Sequence, residues 1–297
     1  MLPTSSFARY DSQMTATAER GSRTADPSRA RLRRGATTDR HRVARRCFEV
    51  CTATLSVILV AAAATAAPEE IQVYLDDLTE PGHFGLDVHN NFAAHGSTTP
   101  DYGEARPSDH VYRLTPEFYY GLAPMLELGA YALTALDRDR SARLDGVKLR
   151  LKYIAPHDEK EAVFWGVNLE VGKTDLAVAM RPWNYELKGI YGQRYGRWML
   201  AFNLNVDAAV SAHPGPTTLD LDSKLAYRAA HATFVGIESY NELGPIRHVG
   251  GLRDHSQMLY VAIDREFKGF DLNAAVGRGL TGASDGCVAK AIVGFHF

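Results

Sequence analysis

Two sets of residues in this 297-residue chain have types and spacings that bear on chemistry. The first is small: His255 next to Ser256, and the pair His83 and His89. A serine hydroxyl becomes a working nucleophile only when a base lies within hydrogen-bond reach and a third group orients that base. His255 and Ser256 are adjacent and fall in a stretch, 241 to 256, that reads as a loop, so no catalytic residue is assigned and the chain is read as a non-enzyme. His83 and His89 lie on one face of an extended segment, but six residues of strand separate them by about 20 Å, too far to share a metal ion. No metal ligand and no cofactor-binding residue follow from these spacings, and the two imidazoles read as satisfied polar groups.

The second set is larger. Arg113, Glu117, Glu127, Lys148, Arg150, Lys152, Glu170, Glu186, Lys188, Asp220, Asp222, Lys224, Arg228, Glu238, Asp264, Asp271 and Lys290 all occupy the polar side of segments that alternate apolar and polar. The clearest is Val147, Leu149, Leu151 and Tyr153 interleaved with Lys148, Arg150 and Lys152. Period two means β-strand, with one face apolar and the other charged. Both signs of charge occur in near balance, so mutual ion pairs are expected rather than a single-sign field, for example Glu127 with Lys152 and Glu170 with Lys148.

The elements that carry these residues can be counted. Alternation starts at Phe84, Leu86, Val88 and Phe92, recurs through ten further segments, and ends on Cys287 to Phe297, giving twelve strands in all. The links between them sort by parity. Those near 95–109, 137–145, 173–182, 207–217, 241–256 and 280–286 are long, and those near 121–125, 155–161, 192–196, 229–230 and 265–268 are short. An even strand number with alternating long loops and short turns is what an antiparallel transmembrane β-barrel requires, with both termini periplasmic. No charged residue falls on the apolar face. The aromatic residues Phe84, Tyr120, Tyr153, Trp165, Trp198, Tyr227, Phe270 and Phe297 all reach its short-turn end, and Phe92, Tyr112, Trp183 and Tyr185 reach the other. Two such rings are the aromatic girdles of a membrane-spanning sheet.

The expected organisation is an Arg-rich extension over 1–46, a signal peptide over 47–66, a short N-terminal segment over 67–81 and the barrel over 82–297. Residues 50–66 form an apolar run after Arg45 and Arg46 and end in Ala64-Thr65-Ala66, so cleavage is expected after Ala66. The forty-odd residues before that run lack hydrophobic periodicity, and a translation start nearer Val43 would leave a conventional short leader. Arg45-Arg46-Cys47-Phe48 partly resembles a twin-arginine export motif, but that route carries folded cargo. From residue 67 onward the chain holds 22 basic and 30 acidic residues, which argues against nucleic acid as a partner. Cys47 and Cys51 lie in the leader, so Cys287 alone remains and no disulfide is expected after cleavage.

The last strand resembles the C-terminal β-signal of bacterial outer-membrane proteins, with Val293, Phe295 and Phe297 as the assembly signal. Two further stretches carry a more specific resemblance: Gly82-His83-Phe84-Gly85-Leu86 with His89-Asn90-Asn91-Phe92, and Gly277-Arg278-Gly279-Leu280-Thr281 with Ser284-Asp285 and Lys290. The chain from about Gln72 to Phe297 looks like the outer-membrane barrels named for the meta-pathway of phenol degradation. The resemblance implies an outer-membrane transporter, often for aromatic or other hydrophobic compounds, with no cofactor and no catalytic motif. Its partners would be outer-membrane lipid, the barrel-assembly machinery and a small-molecule solute. Outer-membrane phospholipases also use twelve strands, but they need a lipid-facing Ser with a His two residues away, which His255-Ser256 does not supply. A barrel with a closed lumen, structural or binding through its loops, is the other expectation to test.

Overall fold

The computed structural model describes residues 70–297 apart from 140 and 158–161. The extension and leader expected over 1–46 and 47–66, the cleavage site at Ala66 and the start near Val43 lie outside the described residues. Twelve strands form one closed antiparallel barrel: β1 Phe84–His95, β2 Tyr112–Ala123, β3 Leu126–Leu136, β4 Ala142–Ile154, β5 Val163–Thr174, β6 Trp183–Tyr195, β7 Trp198–Ala209, β8 Thr218–Ala230, β9 Thr233–Pro245, β10 Gln257–Phe267, β11 Phe270–Gly279 and β12 Cys287–His296. Each strand pairs with its sequence neighbours, and β12 closes on β1 through Leu86 opposite Phe295 and Val88 opposite Val293. Closure leaves no edge of unpaired backbone groups, which is the condition for a sheet to cross lipid. Among the described residues no helix is long and apolar enough to span a membrane.

The alternation seen in the sequence becomes two faces. Along β5 every residue switches side, with Trp165, Leu169 and Val171 exposed outward and Phe164, Asn168 and Glu170 buried inward. The outward row continues through Leu149, Leu187, Leu204, Ile237 and Val261, which is 72% exposed. A row of this kind is costly in water but suited to hydrocarbon, where a charge at mid-depth would cost about 2–4 kcal/mol. The girdle at the short-turn end is built from cross-strand pairs: Phe84 with Tyr120, Tyr153 with Trp165, Trp198 with Tyr227, and Phe270 with both Phe267 and Phe295.

The parity of the links holds less strictly than the sequence suggests. β4 starts at Ala142, so the outer link is only 137–141, while the turn-side link 155–162 is the longer of the two. Arg143 and Leu144 pair with Ala135 and Thr134 across a register shift at Leu133/Thr134. That bulge carries the ladder past the point where strict alternation fails.

Inside the barrel, three glycines are covered by aromatic rings from a neighbouring strand: Gly85 by Tyr119, Gly192 by Phe164 and Gly277 by Tyr260. A Cβ at any of them would collide with the ring. Such glycines let a bulky inward side chain lie flat on the wall. Gly192→Val should therefore displace Phe164 and destabilise the barrel by about 1–3 kcal/mol, read as a lower urea midpoint in micelles.

The candidate functional site is an occupied lumen

The described part of the short N-terminal segment expected over 67–81, residues 70–81, runs inside the barrel before β1 begins. Its centre is Tyr74. The Tyr74 N–H donates to Asn203 Oδ1 at 2.6 Å and Asn203 Nδ2 donates to the Tyr74 carbonyl at 3.0 Å, so one side chain of β7 replaces a strand partner for this residue. The Tyr74 hydroxyl lies 2.6 Å from Glu70 Oε1 and 2.7 Å from the Tyr131 hydroxyl. Three cations face its ring, with Lys188, Lys152 and Arg150 at 4.3, 5.2 and 5.5 Å from the centroid. Such contacts strengthen where water is excluded.

The residues on either side are tied just as closely. Lys290 Nζ donates to the Ile71 carbonyl at 2.8 Å, Lys152 Nζ donates to the Asp77 carbonyl at 2.8 Å, and the Thr79 N–H donates to Glu127 Oε2 at 2.7 Å. Arg194 clamps the Asp76 carboxylate with both terminal nitrogens, and His157 Nε2 sits 2.9 Å from it. Alternate side chains find apolar surface. Val73 and Leu75 pack with Ile154, Phe164, Ile190 and Met199, and Ile71 with Ala93, Met258, Tyr260 and Val288. The inner wall thus meets backbone groups, charges and apolar side chains of this segment.

The charged residues singled out in the sequence sit around it. Arg113, Glu117, Glu127, Arg150, Lys152, Glu170, Lys188, Asp222, Lys224, Arg228, Glu238, Asp264 and Lys290 are buried, while Lys148, Glu186, Asp220 and Asp271 are half-buried. They collect into two main ion-pair groups. Arg150 bridges Glu117 and Glu127 at 2.5 and 2.7 Å. Glu238 bridges Lys290 and Lys224 at 2.5 and 3.0 Å, and Lys224 also reaches Asp264 at 2.7 Å. Lys148 lies 3.8 Å from Glu170 and Lys188 3.1 Å from Glu186. Glu127 and Lys152 are opposite one another in register, yet Glu127 takes Arg150 and Lys152 goes to Asp77. The lumen segment redirects the pairing. Asp271 is matched by His296 at 2.8 Å near the short-turn rim.

Glu238 is a sensitive point because it faces two buried ammonium groups, Lys224 and Lys290. Removing one partner of a buried ion pair leaves charge uncompensated and costs about 3–5 kcal/mol. Glu238→Gln should lower the free energy of unfolding by that amount, read as a lower urea midpoint, and Glu238→Gln combined with Lys290→Met should recover part of it.

A cavity of about 690 Å³ remains beside the segment. It extends from the short-turn rim at His83, His296 and Phe297 inward to Lys224, Glu238, Asp264 and Lys290, with Asp76, Asp77 and Glu80 on the segment side. At the opposite end the loop 96–111 is laced to its neighbours. Arg106 pairs with Asp137 and Asp145, its N–H donates to the Ala177 carbonyl, and Ser108 donates to Asp285. Partial burial alone would lower the Arg106 pKa, but the hydrogen bond and charge of Asp145, with Asp137 and Asp175, raise it above its ordinary value.

His255 and Ser256 lie in the loop 246–256. The Ser256 N–H donates to Glu242 Oε2 at 3.2 Å and the His255 carbonyl accepts from Thr281 Oγ1 at 2.8 Å, so both are held by loop contacts. Tyr74, Asp76, Asp77, Asn203 and Arg194 are among the lumen residues the sequence did not single out. One trace of them was present: Ile154, Phe164, Ile190 and Met199, like Met258 and Val288, are apolar residues on the inward face, and such patches signal that something packs against them.

No protein-family model matches the sequence, and no curated protein matches it. Among solved structures the chain is similar to an outer membrane channel from Pseudomonas putida F1, at 12% identity and a TM-score of 0.50 over 77% of this chain and 100% of that one. The KdgM porin (12% identity, TM-score 0.46, 72% of this chain and 99% of that one) and the NanC porin (9% identity, TM-score 0.46, 71% and 98%) are also similar. The closed twelve-strand sheet, its lipid-suited outer face and the first of these likenesses together show the fold of an outer-membrane β-barrel.

Proposed function

We propose that this barrel is a passive outer-membrane channel for small solutes whose bore is narrowed by its own segment 70–81. The observation that carries the proposal is the cavity of about 690 Å³ between that segment and the inner wall, lined by acids such as Glu117, Glu238 and Asp264 and bases such as Arg150, Lys224 and Lys290. A packed structural core would have left no such space, and a mixed-charge lining admits polar and weakly polar solutes of either sign. Twelve strands enclose a bore between the filled eight-strand barrel and the open sixteen-strand porin, so partial filling by ten or so residues leaves a narrow path.

In this reading the protein enters the outer membrane of a Gram-negative bacterium after cleavage of a signal peptide near Ala66, through the barrel-assembly machinery. The short-turn end is periplasmic. The resemblance to barrels named for the phenol meta-pathway supports aromatic or other hydrophobic compounds as the solute class. Liposomes containing the barrel should swell in small sugars and aromatic acids at rates that fall with solute size. Swelling no faster than in protein-free liposomes for every solute would overturn the proposal. A closed structural barrel is the second reading, favoured by the double hydrogen bond of Tyr74 to Asn203 that pins the segment in place.

A further inference from the structure

Glu70, His89 and Glu117 bring their donor atoms to within 4.8 Å of one another. They come from three pieces of the chain: the lumen segment, β1 and β2. Both wall residues are 1% exposed. His89 Nε2 and Glu117 Oε2 lie 3.3 Å apart, close to the edge of a tetrahedron of donors placed about 2.0–2.1 Å from a metal ion. Each carboxylate is also held from behind. Arg150 contacts Glu117 through Oε1, which leaves Oε2 facing His89, and the Tyr74 hydroxyl bonds to Glu70 Oε1. Outer contacts of that kind orient carboxylate ligands. His89 Nδ1 is buried without a hydrogen-bond partner, so Nε2, which faces Glu117, is the nitrogen turned toward both carboxylates and the one that would meet a cation.

Charge also fits. Glu170 acts on Glu70 and Asp87 on His89, adding negative charge against Lys188 and Arg150, so a divalent cation would not enter a net positive site. One imidazole with two carboxylates selects borderline first-row metals over calcium or magnesium, and three protein ligands leave a position for water.

We propose that Glu70, His89 and Glu117 bind one divalent transition-metal ion of zinc's class, which bridges the lumen segment to the barrel wall. The test uses the purified full barrel in micelles, stripped with a chelator and titrated with zinc chloride by calorimetry. Cobalt(II) absorption serves as a second readout of four-coordinate binding. One ion per barrel is expected, with affinity falling about tenfold or more in Glu70→Gln and in His89→Asn, and unchanged in His110→Asn on the outer loop. Absence of stoichiometric zinc binding by the unaltered barrel, or binding by both site variants as tight as the unaltered barrel's, would overturn the assignment. Glu70 is not part of the wall, so Glu70→Gln decides the question alone if His89→Asn does not fold, as judged by heat-modified mobility in gels.

Discussion

Replacing Phe295 and Phe297 together by Asp is expected to remove nearly all folded protein from the outer membrane. Phe295 faces Leu86 across the β1–β12 seam and touches Phe270, and the Phe297 N–H donates to the Phe84 carbonyl at 2.9 Å. The seam pairs β12 with β1 and closes the sheet. Two carboxylates there lose the apolar area of two aromatic side chains, each about 2–3 kcal/mol, and introduce charges on the lipid face. They also erase the aromatic terminus by which we propose the assembly machinery recognises the chain. The fraction of heat-modifiable barrel in outer-membrane extracts measures the outcome. Phe297→Tyr keeps the ring and should assemble normally, whereas Asp variants that insert at ordinary levels would show that the seam does not depend on these residues.

Deleting residues 70–79 is expected to widen the bore and to cost moderate stability. Asn203 loses two hydrogen bonds, and Lys152, Lys290 and Arg194 each lose a partner. In a dry interior such losses would be severe, but water refills a vacated lumen and rehydrates the cations, so each lost bond falls toward the net range of about 0.5–1.5 kcal/mol. Val73 and Leu75 also vacate an apolar patch that then meets water. The urea midpoint should fall, while liposome swelling should extend to larger solutes than the intact barrel admits. Tyr74→Ala should act in the same direction and less strongly, since the contacts at Ile71, Asp76 and Asp77 remain.

Much of the barrel was legible because a lipid-facing sheet imposes period two on every strand. The alternation of Lys148, Arg150 and Lys152 with Val147, Leu149 and Leu151 sufficed to place the second half of β4 and its faces, though not its start at Ala142. The girdle pairs Phe84–Tyr120 and Trp198–Tyr227 followed from the same rule, since residues at matching heights on adjacent strands must meet. The lumen was less legible. Tyr74 and Asn203 are 129 positions apart, and nothing in either neighbourhood names the other. Once the segment enters, it changes which ions pair, so Lys152 serves Asp77 although Glu127 stands opposite it in register. His89 shows the same limit. Its distance to His83 along the strand excludes a shared ion, but the barrel sets it beside Glu117 and Glu70 instead. Strand register is a local consequence of sequence, whereas what fills a closed barrel depends on contacts made only after closure.

The most direct test is single-channel conductance in a planar bilayer, measured side by side on the intact barrel and on the barrel lacking residues 70–79. A small, steady conductance for the intact protein that rises several-fold on deletion is the predicted result. Equal conductances, or none from either protein, would contradict a solute path through the lumen narrowed by its own N-terminal segment.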